Sequence, residues 1–361
     1  MAKVHSTGLS PLLVAAVILA HCGGPSPADP PWEIGGGELQ ATNTDALFIA
    51  VSAVSERVAW AAGTGGQIAR TDDGGSTWEV KVVPGADSLQ FRDVHGIDAN
   101  SAYILSIGSG SDSRIYRTDD AGGSWRLLFQ NDEPEAFFDC MDFWDEESGI
   151  AFSDAVDSEF VIITTGDGGE SWSRVDPMSV PDALGSEGSF AASGTCVTTF
   201  GDSTAWIGTA AGDRPRVLKT TDRGRSWVVA ETPVVGGQSA GIATITFRDA
   251  LNGFVAGGDI NAPTEYRDNV AVSHDGGLTW SLAARPLMPG AIFGSTYVPG
   301  APTPTIVVTG PAGVNYSVDN GLSWQPADSL NYWGVDFAGR EGGWTVGTDG
   351  KIAFRYFRSR P

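Results

Sequence analysis

The sequence is poor in basic residues, histidine, cysteine and apolar runs with a helical period. It contains 22 Lys and Arg against 44 Asp and Glu, a formal net charge of −22. Phosphate binding needs clustered Lys and Arg, so we expect no nucleic-acid partner. The 4 His residues show no zinc spacing, and no glycine-rich dinucleotide motif joins a strand to a helix, so we expect neither a metal nor a cofactor. The missing 3.6-residue period predicts almost no helix.

An N-terminal apolar run, Leu12 to Ala20, predicts a secretory signal peptide within residues 1–22. The run ends at His21 and Cys22 and is followed by a stretch rich in Gly and Pro. This arrangement resembles a bacterial lipoprotein signal, although the residue before the cysteine is normally Gly, Ala or Ser. We therefore expect lipid on Cys22, a flexible tether over residues 23–30 and an exported protein, periplasmic or on the outer surface. An ordinary signal peptide is the alternative.

One motif, Ser/Thr-x-Asp-x-Gly-x-x-Trp, occurs six times. Successive Trp residues are 47, 47, 55, 53 and 44 positions apart, a period typical of β-propeller blades. The Asp can accept N–H groups of a tight turn, the Gly supplies positive φ, and the Trp covers the turn. This is the Asp-box, or BNR repeat, and we expect it to be structural. The six aspartates are Asp73, Asp120, Asp167, Asp222, Asp275 and Asp319.

A seventh repeat is divided between the two ends of the chain. Residues 343–352 repeat the pattern of residues 59–68, but no box follows them. Trp32 lies 46 positions before Trp78, which is one repeat length. We therefore predict an all-β fold, a single seven-bladed propeller over residues 31–361. Its blades are four-stranded and antiparallel, and the N-terminal strand containing Trp32 closes the ring.

Candidate binding residues come from the entries to the inner strands, which line one mouth of the central channel in a propeller. Insertions at Val180 to Ser193 and Asp259 to Asn269 lengthen two repeats there, and loops carry function more often than sheets do. Carboxylates with one Arg could bind a ligand or serve acid–base chemistry, or simply solvate the channel. The candidates are Arg92, Asp93, Asp139, Glu187, Ser193, Thr195, Ser239 and Tyr332.

Two cysteines, Cys140 and Cys196, remain once the signal is removed. Their strand positions place them on opposite faces of neighbouring blades, which allows a contact but also allows both to point away. Inner strands rarely bring Cα atoms within the ~7 Å that a disulfide needs. We predict two free, buried thiols, with a disulfide as the alternative.

The repeats resemble the Asp-box propellers related to the photosystem II stability and assembly factors, many of which are exported bacterial proteins. Segments 138–141 and 193–196 are similar to a bacterial branch often labelled oxidoreductase or glycosyl hydrolase. The resemblance implies a protein that holds partner proteins and is not an enzyme. Sialidases share the box, but their Phe/Tyr-Arg-Ile-Pro motif precedes the first box, whereas Phe91-Arg92-Asp93-Val94 follows it and lacks the Pro. The boxes themselves indicate fold and say little about function.

Two functions follow as hypotheses. The first is a lipid-anchored, monomeric binding or assembly module that presents a propeller face to a protein or glycan and touches the membrane only through its lipid. The second is a hydrolase or lyase, other than a sialidase, that acts on glycans through the acidic mouth. Two carboxyls about 5 to 9.5 Å apart would favour the second.

Overall fold

The computed structural model describes Met1, residues 32–185 and residues 187–360. The predicted signal peptide, the tether and Cys22 lie outside these residues. The described chain folds into seven four-stranded antiparallel sheets, which confirms the predicted seven-bladed, all-β propeller. Helix is limited there to two short 3-10 turns, Gly110–Asp112 and Pro177–Ser179. No helix in this part of the chain has the length and apolar character needed to cross a bilayer.

The strands follow the chain from inside to outside within each blade. The chain enters through β1 (Trp32–Gln40). Blade 1 contains β2 (Phe48–Ala53), β3 (Ala59–Gly63), β4 (Gln67–Thr71) and β5 (Glu79–Val82). Blade 2 contains β6 (Gln90–Gly96), β7 (Ala102–Ile107), β8 (Arg114–Thr118) and β9 (Arg126–Gln130). Blade 3 contains β10 (Phe138–Phe143), β11 (Gly149–Val156), β12 (Glu159–Thr165) and β13 (Ser173–Arg174).

The remaining blades repeat this order. Blade 4 contains β14 (Val197–Phe200), β15 (Thr204–Gly208), β16 (Arg216–Thr220) and β17 (Val228–Glu231). Blade 5 contains β18 (Ala240–Phe247), β19 (Gly253–Asp259), β20 (Val270–Ser273) and β21 (Ser281–Leu282). Blade 6 contains β22 (Gly294–Tyr297), β23 (Ile306–Gly310), β24 (Gly313–Ser317) and β25 (Gln325–Asp328). Blade 7 contains β26 (Tyr332–Gly339), β27 (Gly342–Gly347) and β28 (Ile352–Ser359), with β1 as its outer strand.

Pairing of β1 with β28 closes the ring, as predicted. Trp32 lies opposite Ser359 and Gln40 opposite Ile352. In blade 1, Trp78 directly precedes Glu79, which pairs with Arg70. Arg70 in β4 and Phe354 in β28 occupy equivalent positions in the third strands of their blades, because each pairs with the Trp of the second strand, Trp60 or Trp344. In β1 the residue opposite Arg355, next to this position, is Gly36, whereas Trp32 lies further along, opposite Ser359. Trp32 therefore belongs to the closing strand but does not occupy the position that a seventh box Trp would take.

The boxes are closed turns in which the Ser/Thr hydroxyl and the Asp carboxylate of the motif are both hydrogen-bonded. In blade 3, Thr165 Oγ1 donates to Asp167 Oδ1 (2.8 Å) and accepts the N–H of Gly169 (2.9 Å). The other Asp167 contacts come from Ser171, whose N–H donates to Oδ1 (2.9 Å) and whose hydroxyl donates to Oδ2 (2.6 Å). These hydrogen bonds, led by the Ser171 hydroxyl, lower the pKa of Asp167. The other five boxes repeat the two backbone contacts.

Neighbouring blades interlock through aromatic side chains of the second strand. Tyr103 of blade 2 donates its hydroxyl to the carbonyl of Gly168, in the box of blade 3 (2.8 Å). Trp206 of blade 4 donates its indole N–H to the carbonyl of Gly276, in the box of blade 5 (2.8 Å). Each aromatic ring is fully buried, so these contacts join apolar packing to a satisfied polar group. The boxes therefore stabilise the ring as well as their own hairpins.

A disulfide joins blades 3 and 4, and the prediction of two free thiols is wrong. Cys140 and Cys196 are bonded, with Cα atoms 5.9 Å apart, inside the range for a disulfide. Both residues are fully buried in one cluster with Phe152 and Leu218. The two positions do face each other from opposite faces of adjacent blades. The expectation that inner strands of adjacent blades lie too far apart for a disulfide failed here. These strands converge on the channel axis, where the gap between blades is narrowest.

Candidate functional site

The loops divide the ring into two faces. The Asp-boxes and the turns between first and second strands lie on one face, joined by contacts such as the Ala121 N–H to the Asn100 carbonyl (2.8 Å). We call this the box face. The opposite face, called the mouth face, carries the loops between second and third strands and the connections between blades. Inner strands begin on the mouth face, so the sequence candidates near their starts belong there.

Five inner strands contain a β-bulge near their start, and in three of them the extra residue lines a pocket at the mouth. The extra residues are Arg92 in β6, Asp139 in β10 and Trp333 in β26. A bulge re-aims the side chain of the unpaired residue. As a result, side chains from blades 2, 3 and 7 converge on a single pocket instead of packing between sheets.

This pocket, called the mouth pocket, has a volume of about 330 Å³. Its wall is mainly apolar, with Phe293 and Trp333 packed edge to face at 4.8 Å between ring centroids. The guanidinium of Arg92 lies over the Trp333 ring, 5.4 Å from its centroid. The lining residues are Arg92, Ile107, Phe137, Asp139, Asp154, Ser189, Phe190, Ala191, Ala192, Ile260, Phe293 and Trp333.

The polar floor of the mouth pocket is a pair of carboxyl groups. Asp139 is 1% exposed and is hydrogen-bonded to Asp154. Burial raises the pKa of Asp139 well above its ordinary value, the negative charge of Asp154 raises it further, and Arg92 opposes both effects. Burial also raises the pKa of Asp154, which accepts the Ser189 N–H (2.9 Å). Since two ionised carboxylates in contact repel each other, the pair holds a proton between them.

Arg92 is only partly satisfied in this pocket. Its Nη1 donates to the Ala191 carbonyl (2.9 Å) and its Nη2 to Gln90 Oε1 (3.0 Å). Its Nε is buried and has no hydrogen-bond acceptor among the described residues. Oδ2 of Asp139 is also buried, and no N–H or hydroxyl group of the described residues donates to it. Burial lowers the pKa of Arg92, and Asp139 opposes the effect. Buried polar groups without partners are uncommon in proteins, so these atoms mark a place where a ligand could bind.

Residues Glu187–Thr195, called the roof segment, cover the channel on the mouth face. The segment contacts blade 2 through the Arg92–Ala191 bond and blade 3 through the Ser189–Asp154 bond. It reaches blade 6 where the Ser193 hydroxyl donates to the Phe293 carbonyl (2.7 Å). The mouth pocket lies on its outer side, lined by residues 189–192, and the channel cavity lies on its inner side, lined by residues 193–195. The roof segment therefore separates the two cavities.

Gly194 lets the roof segment come close to β6. Its φ is 79°, in the left-handed region that favours glycine. A Cβ at this position would lie 2.4 Å from Oδ1 of Asp93. No larger residue fits without moving the segment or the strand.

The channel cavity, of about 180 Å³, contains carboxylates that join neighbouring blades. Asp93 accepts the N–H of Met141 (2.6 Å), Asp142 that of Thr199 (2.7 Å) and Asp336 that of Ala53 (2.8 Å), in each case from the next blade. Burial raises the pKa of Asp93 well above its ordinary value and that of Asp336 to about 6. These acids hold the ring together, and none of the three lines the mouth pocket.

The eight sequence candidates separate into distinct environments. Only Arg92 and Asp139 line the mouth pocket, while Asp93, Ser193 and Thr195 line the channel cavity. The other three lie elsewhere. Glu187 is buried in an ion pair with Arg216, Ser239 donates to Asp259 Oδ1 (2.9 Å), and Tyr332 packs inside blade 7 under the guanidinium of Arg355.

The sequence reasoning named two of the twelve lining residues and missed the other ten, among them Phe137, Asp154, Phe190, Phe293 and Trp333. Trp333 could have been found from the repeats, because it follows a buried aromatic at the start of β26 as Arg92 does in β6. Phe293 precedes Gly294 at the start of β22, as Trp333 precedes Gly334 in β26. Asp154 and Phe190 carry no comparable signal, since a second strand and an insertion supply them.

The pocket does not have the geometry of a glycoside hydrolase. Asp139 and Asp154 are in direct hydrogen-bonding contact, whereas the two carboxyls of such enzymes stand about 5 to 9.5 Å apart. Within residues 32–185 and 187–360, no group of three His, Cys, Asp or Glu side chains could hold a metal ion. The arrangement suits binding: an apolar cavity with one buried cation and one shared proton.

Comparison with known proteins supports the fold. The model of the BNR/Asp-box repeat matches residues 271–282, the box of blade 5. No curated protein matches the chain at a significant level. Among solved structures, YCF48 bound to a D1 peptide is 18% identical with a TM-score of 0.62, covering 91% of this chain and 97% of that one. YCF48 from Cyanidioschyzon merolae is 16% identical with a TM-score of 0.61, covering 91% and 99%.

An enzyme shares the architecture at lower identity. A catalytically inactive virginiamycin B lyase from Staphylococcus aureus, with quinupristin, is 12% identical with a TM-score of 0.61, covering 90% of this chain and 99% of that one. Likeness at these identities concerns the fold, which hosts binding proteins and enzymes alike. The chain therefore contains BNR/Asp-box repeats, one of them matched by the family model, and has a seven-bladed β-propeller fold similar to that of YCF48.

Proposed function

We propose that this protein is a non-catalytic binding module that holds a segment of a partner protein in the mouth pocket. The observation that carries the proposal is the pocket itself, a cavity with an aromatic wall in which the buried Arg92 Nε has no acceptor among the described residues. A buried group left unpaired costs about 1–3 kcal/mol, and a bound peptide amide would supply partners. The solved complex of YCF48 with a D1 peptide supports a peptide ligand for this architecture.

The proposal includes export and a lipid anchor on Cys22. The apolar run before Cys22 supports a signal of the lipoprotein type. The Cys140–Cys196 disulfide supports an oxidising compartment, because such bonds persist outside the cytosol. In this arrangement the propeller works as a monomer and contacts the membrane through lipid alone.

Site-specific photo-crosslinking in living cells tests the binding function. A benzophenone amino acid at position 261, beside the pocket-lining Ile260, is compared with one at position 82, on the outer strand β5. The native Asn261 and Val82 are both exposed. We expect a crosslinked protein from position 261 alone, with loss of the adduct when Arg92→Ala is added.

Equal crosslinking at both positions, or none at position 261, would reject the mouth pocket as the binding site. Release of sugar from a glycan by the wild type, abolished in Asp139→Asn, would instead favour a glycan-active enzyme.

A further inference from the structure

An acidic segment of the chain, called the acidic rim, leads directly into the mouth pocket. Asp132, Glu133 and Glu135 occupy the connection between blades 2 and 3, directly before Phe137, which lines the pocket. Asp132 and Glu135 are exposed, and Glu133 is half-buried. Within the described parts of the chain, none of the three carboxylates forms an ion pair, although nineteen such pairs occur there, among them Arg214–Glu231 and Arg126–Glu170.

The rim is held in a fixed conformation by its backbone. Asn131 Nδ2 donates to the carbonyl of Glu133 (2.8 Å), and its Oδ1 accepts the Glu133 N–H (3.0 Å). The carbonyl of Ala136 accepts the Gly110 N–H (3.2 Å) from the neighbouring loop of blade 2. The three carboxylates are therefore displayed from an ordered turn next to the pocket.

The interior of the pocket gives an independent indication of the ligand. Asp139 is 1% exposed, and its Oδ2 meets no N–H or hydroxyl donor in the described residues. Among the residues that the structure describes, no acceptor meets the buried donor Arg92 Nε. One free donor beside one carboxyl complements an amide, which offers one C=O and one N–H. The aromatic wall of Phe137, Phe293 and Trp333 suits a large apolar side chain.

We propose that the partner segment is a basic peptide whose large apolar side chain enters the mouth pocket while flanking Lys or Arg side chains meet the acidic rim. This inference rests on the proposed binding function and adds the chemistry of the partner. An amide of the peptide bridges Arg92 and Asp139. A protein with a net charge of −22 repels acidic segments, and complementary charge both steers encounter and excludes wrong partners.

Selection from a random dodecapeptide library displayed on phage tests the proposal. The bait is the folded protein from residue 23 onward, with Cys22 absent and the disulfide intact. We expect enriched peptides with Phe, Trp or Leu next to Lys or Arg. Synthetic versions are then titrated against three variants whose melting temperatures confirm that they fold.

The variants separate the two parts of the interaction. Ile260→Trp narrows the pocket. The rim variant carries Asp132→Asn, Glu133→Gln and Glu135→Gln. Its matched control carries Glu56→Gln, Glu146→Gln and Glu147→Gln, three exposed acids on the box face that give the same change in net charge.

We expect Ile260→Trp to abolish binding, the rim variant to weaken it about tenfold at low salt, and the control to leave it unchanged. Peptides without Lys or Arg, or peptides that bind the rim variant as tightly as the wild type, would overturn the basic-peptide inference while the pocket function stands. The absence of any peptide whose binding depends on Ile260 would reject the pocket function and the inference together.

Discussion

Asp139 is hydrogen-bonded to Asp154 across the neighbouring strands β10 and β11, and both carboxyls are withdrawn from water at the floor of the mouth pocket. Burial raises the pKa values of both groups, and the contact raises that of Asp139 further while it lowers that of Asp154. This pair gives the molecule a pH dependence that a single substitution can isolate.

Asp139→Asn is expected to stabilise the protein at neutral pH. A carboxyl whose folded-state pKa is raised binds its proton more tightly when folded, so wild-type stability falls as pH rises from the ordinary value of 3.8 toward the folded value. The amide cannot ionise and avoids this loss. Urea unfolding at pH 4 and pH 8 measures the difference. A variant whose stability changes in parallel with that of the wild type would show that Asp139 is not protonated.

The disulfide is expected to contribute strongly to stability. Cys140 and Cys196 are separated by 56 residues, and closing a loop of that length is worth about 4 kcal/mol in the chain-entropy model. In protein with Cys22→Ser, thiol titration under denaturing, non-reducing conditions should find no free thiol. Cys140→Ala with Cys196→Ala should lower the melting temperature, as should reduction of the wild type. Two titratable thiols in the oxidised protein would disprove the bond.

Removal of β1 is expected to open the ring. Deleting residues 32–40 exposes the edge of β28 and removes the ion pair between Arg358 and Glu33 (2.8 Å). An exposed edge strand invites aggregation. The melting temperature should fall sharply, whereas deletion of residues 23–31 should leave it unchanged. If the two deletions melt alike, β1 is not needed for closure.

The boxes are expected to matter for stability and not for binding. Asp167→Ala removes the acceptor for the Ser171 N–H and hydroxyl and should lower the melting temperature. Asp167→Asn keeps one oxygen acceptor and should fall between Ala and the wild type. Peptide affinity should be unaffected, because the boxes lie on the face opposite the pocket. A loss of affinity without a loss of stability would contradict the structural role.

Acid is expected to weaken all six boxes together. The pKa values of Asp73, Asp120 and Asp275 are lowered to about 2, chiefly by hydrogen bonds from the Thr or Ser four residues on. A lowered folded-state pKa gives stability that is present above the ordinary value of 3.8 and lost as pH falls toward 2. Melting curves across this interval should show the loss, and it should be smaller in Asp73→Asn. Equal slopes in the two proteins would contradict this origin.

Mass spectrometry of the membrane fraction tests the anchor. We expect a mature N-terminus at Cys22 carrying a diacylglyceryl group, and none in Cys22→Ser. A soluble protein that begins at another residue would reject the lipid, with His21 the position that departs from the lipoprotein pattern.

The sequence predicted the ring because its repeat is long and its motif is local. Asp167 and its partners lie within seven residues of one another, so spacing alone specifies the turn. The repeat length predicted that the strand containing Trp32 closes the ring, but it does not predict the register of β1. Pairing of Trp32 with Ser359 depends on an irregular stretch between Gly36 and Leu39 that no spacing reveals.

The candidate site was less predictable because it is assembled from different blades. Arg92 and Asp139 were found since both begin inner strands, but their neighbour Asp154 comes from a second strand and Phe293 lies 154 positions beyond Asp139. Glu187 was predicted to lie at the site because it belongs to an insertion. Its ion pair with the buried Arg216 holds it away from the pocket. The disulfide was missed for a similar reason, as the distance between two inner strands depends on how the blades converge.

The direction of β1 has a consequence for how the propeller would sit at a membrane. The strand enters at the box face, where Trp32 pairs with Ser359, and runs toward the mouth face, where Gln40 pairs with Ile352. Cys22 precedes Trp32 by ten residues, which span at most about 36 Å when extended. A lipid on Cys22 would therefore turn the boxes toward the bilayer and the pocket toward the surrounding solution. Partner segments would then approach from the aqueous side, and a partner embedded in the same membrane would need an extension long enough to pass around the ring.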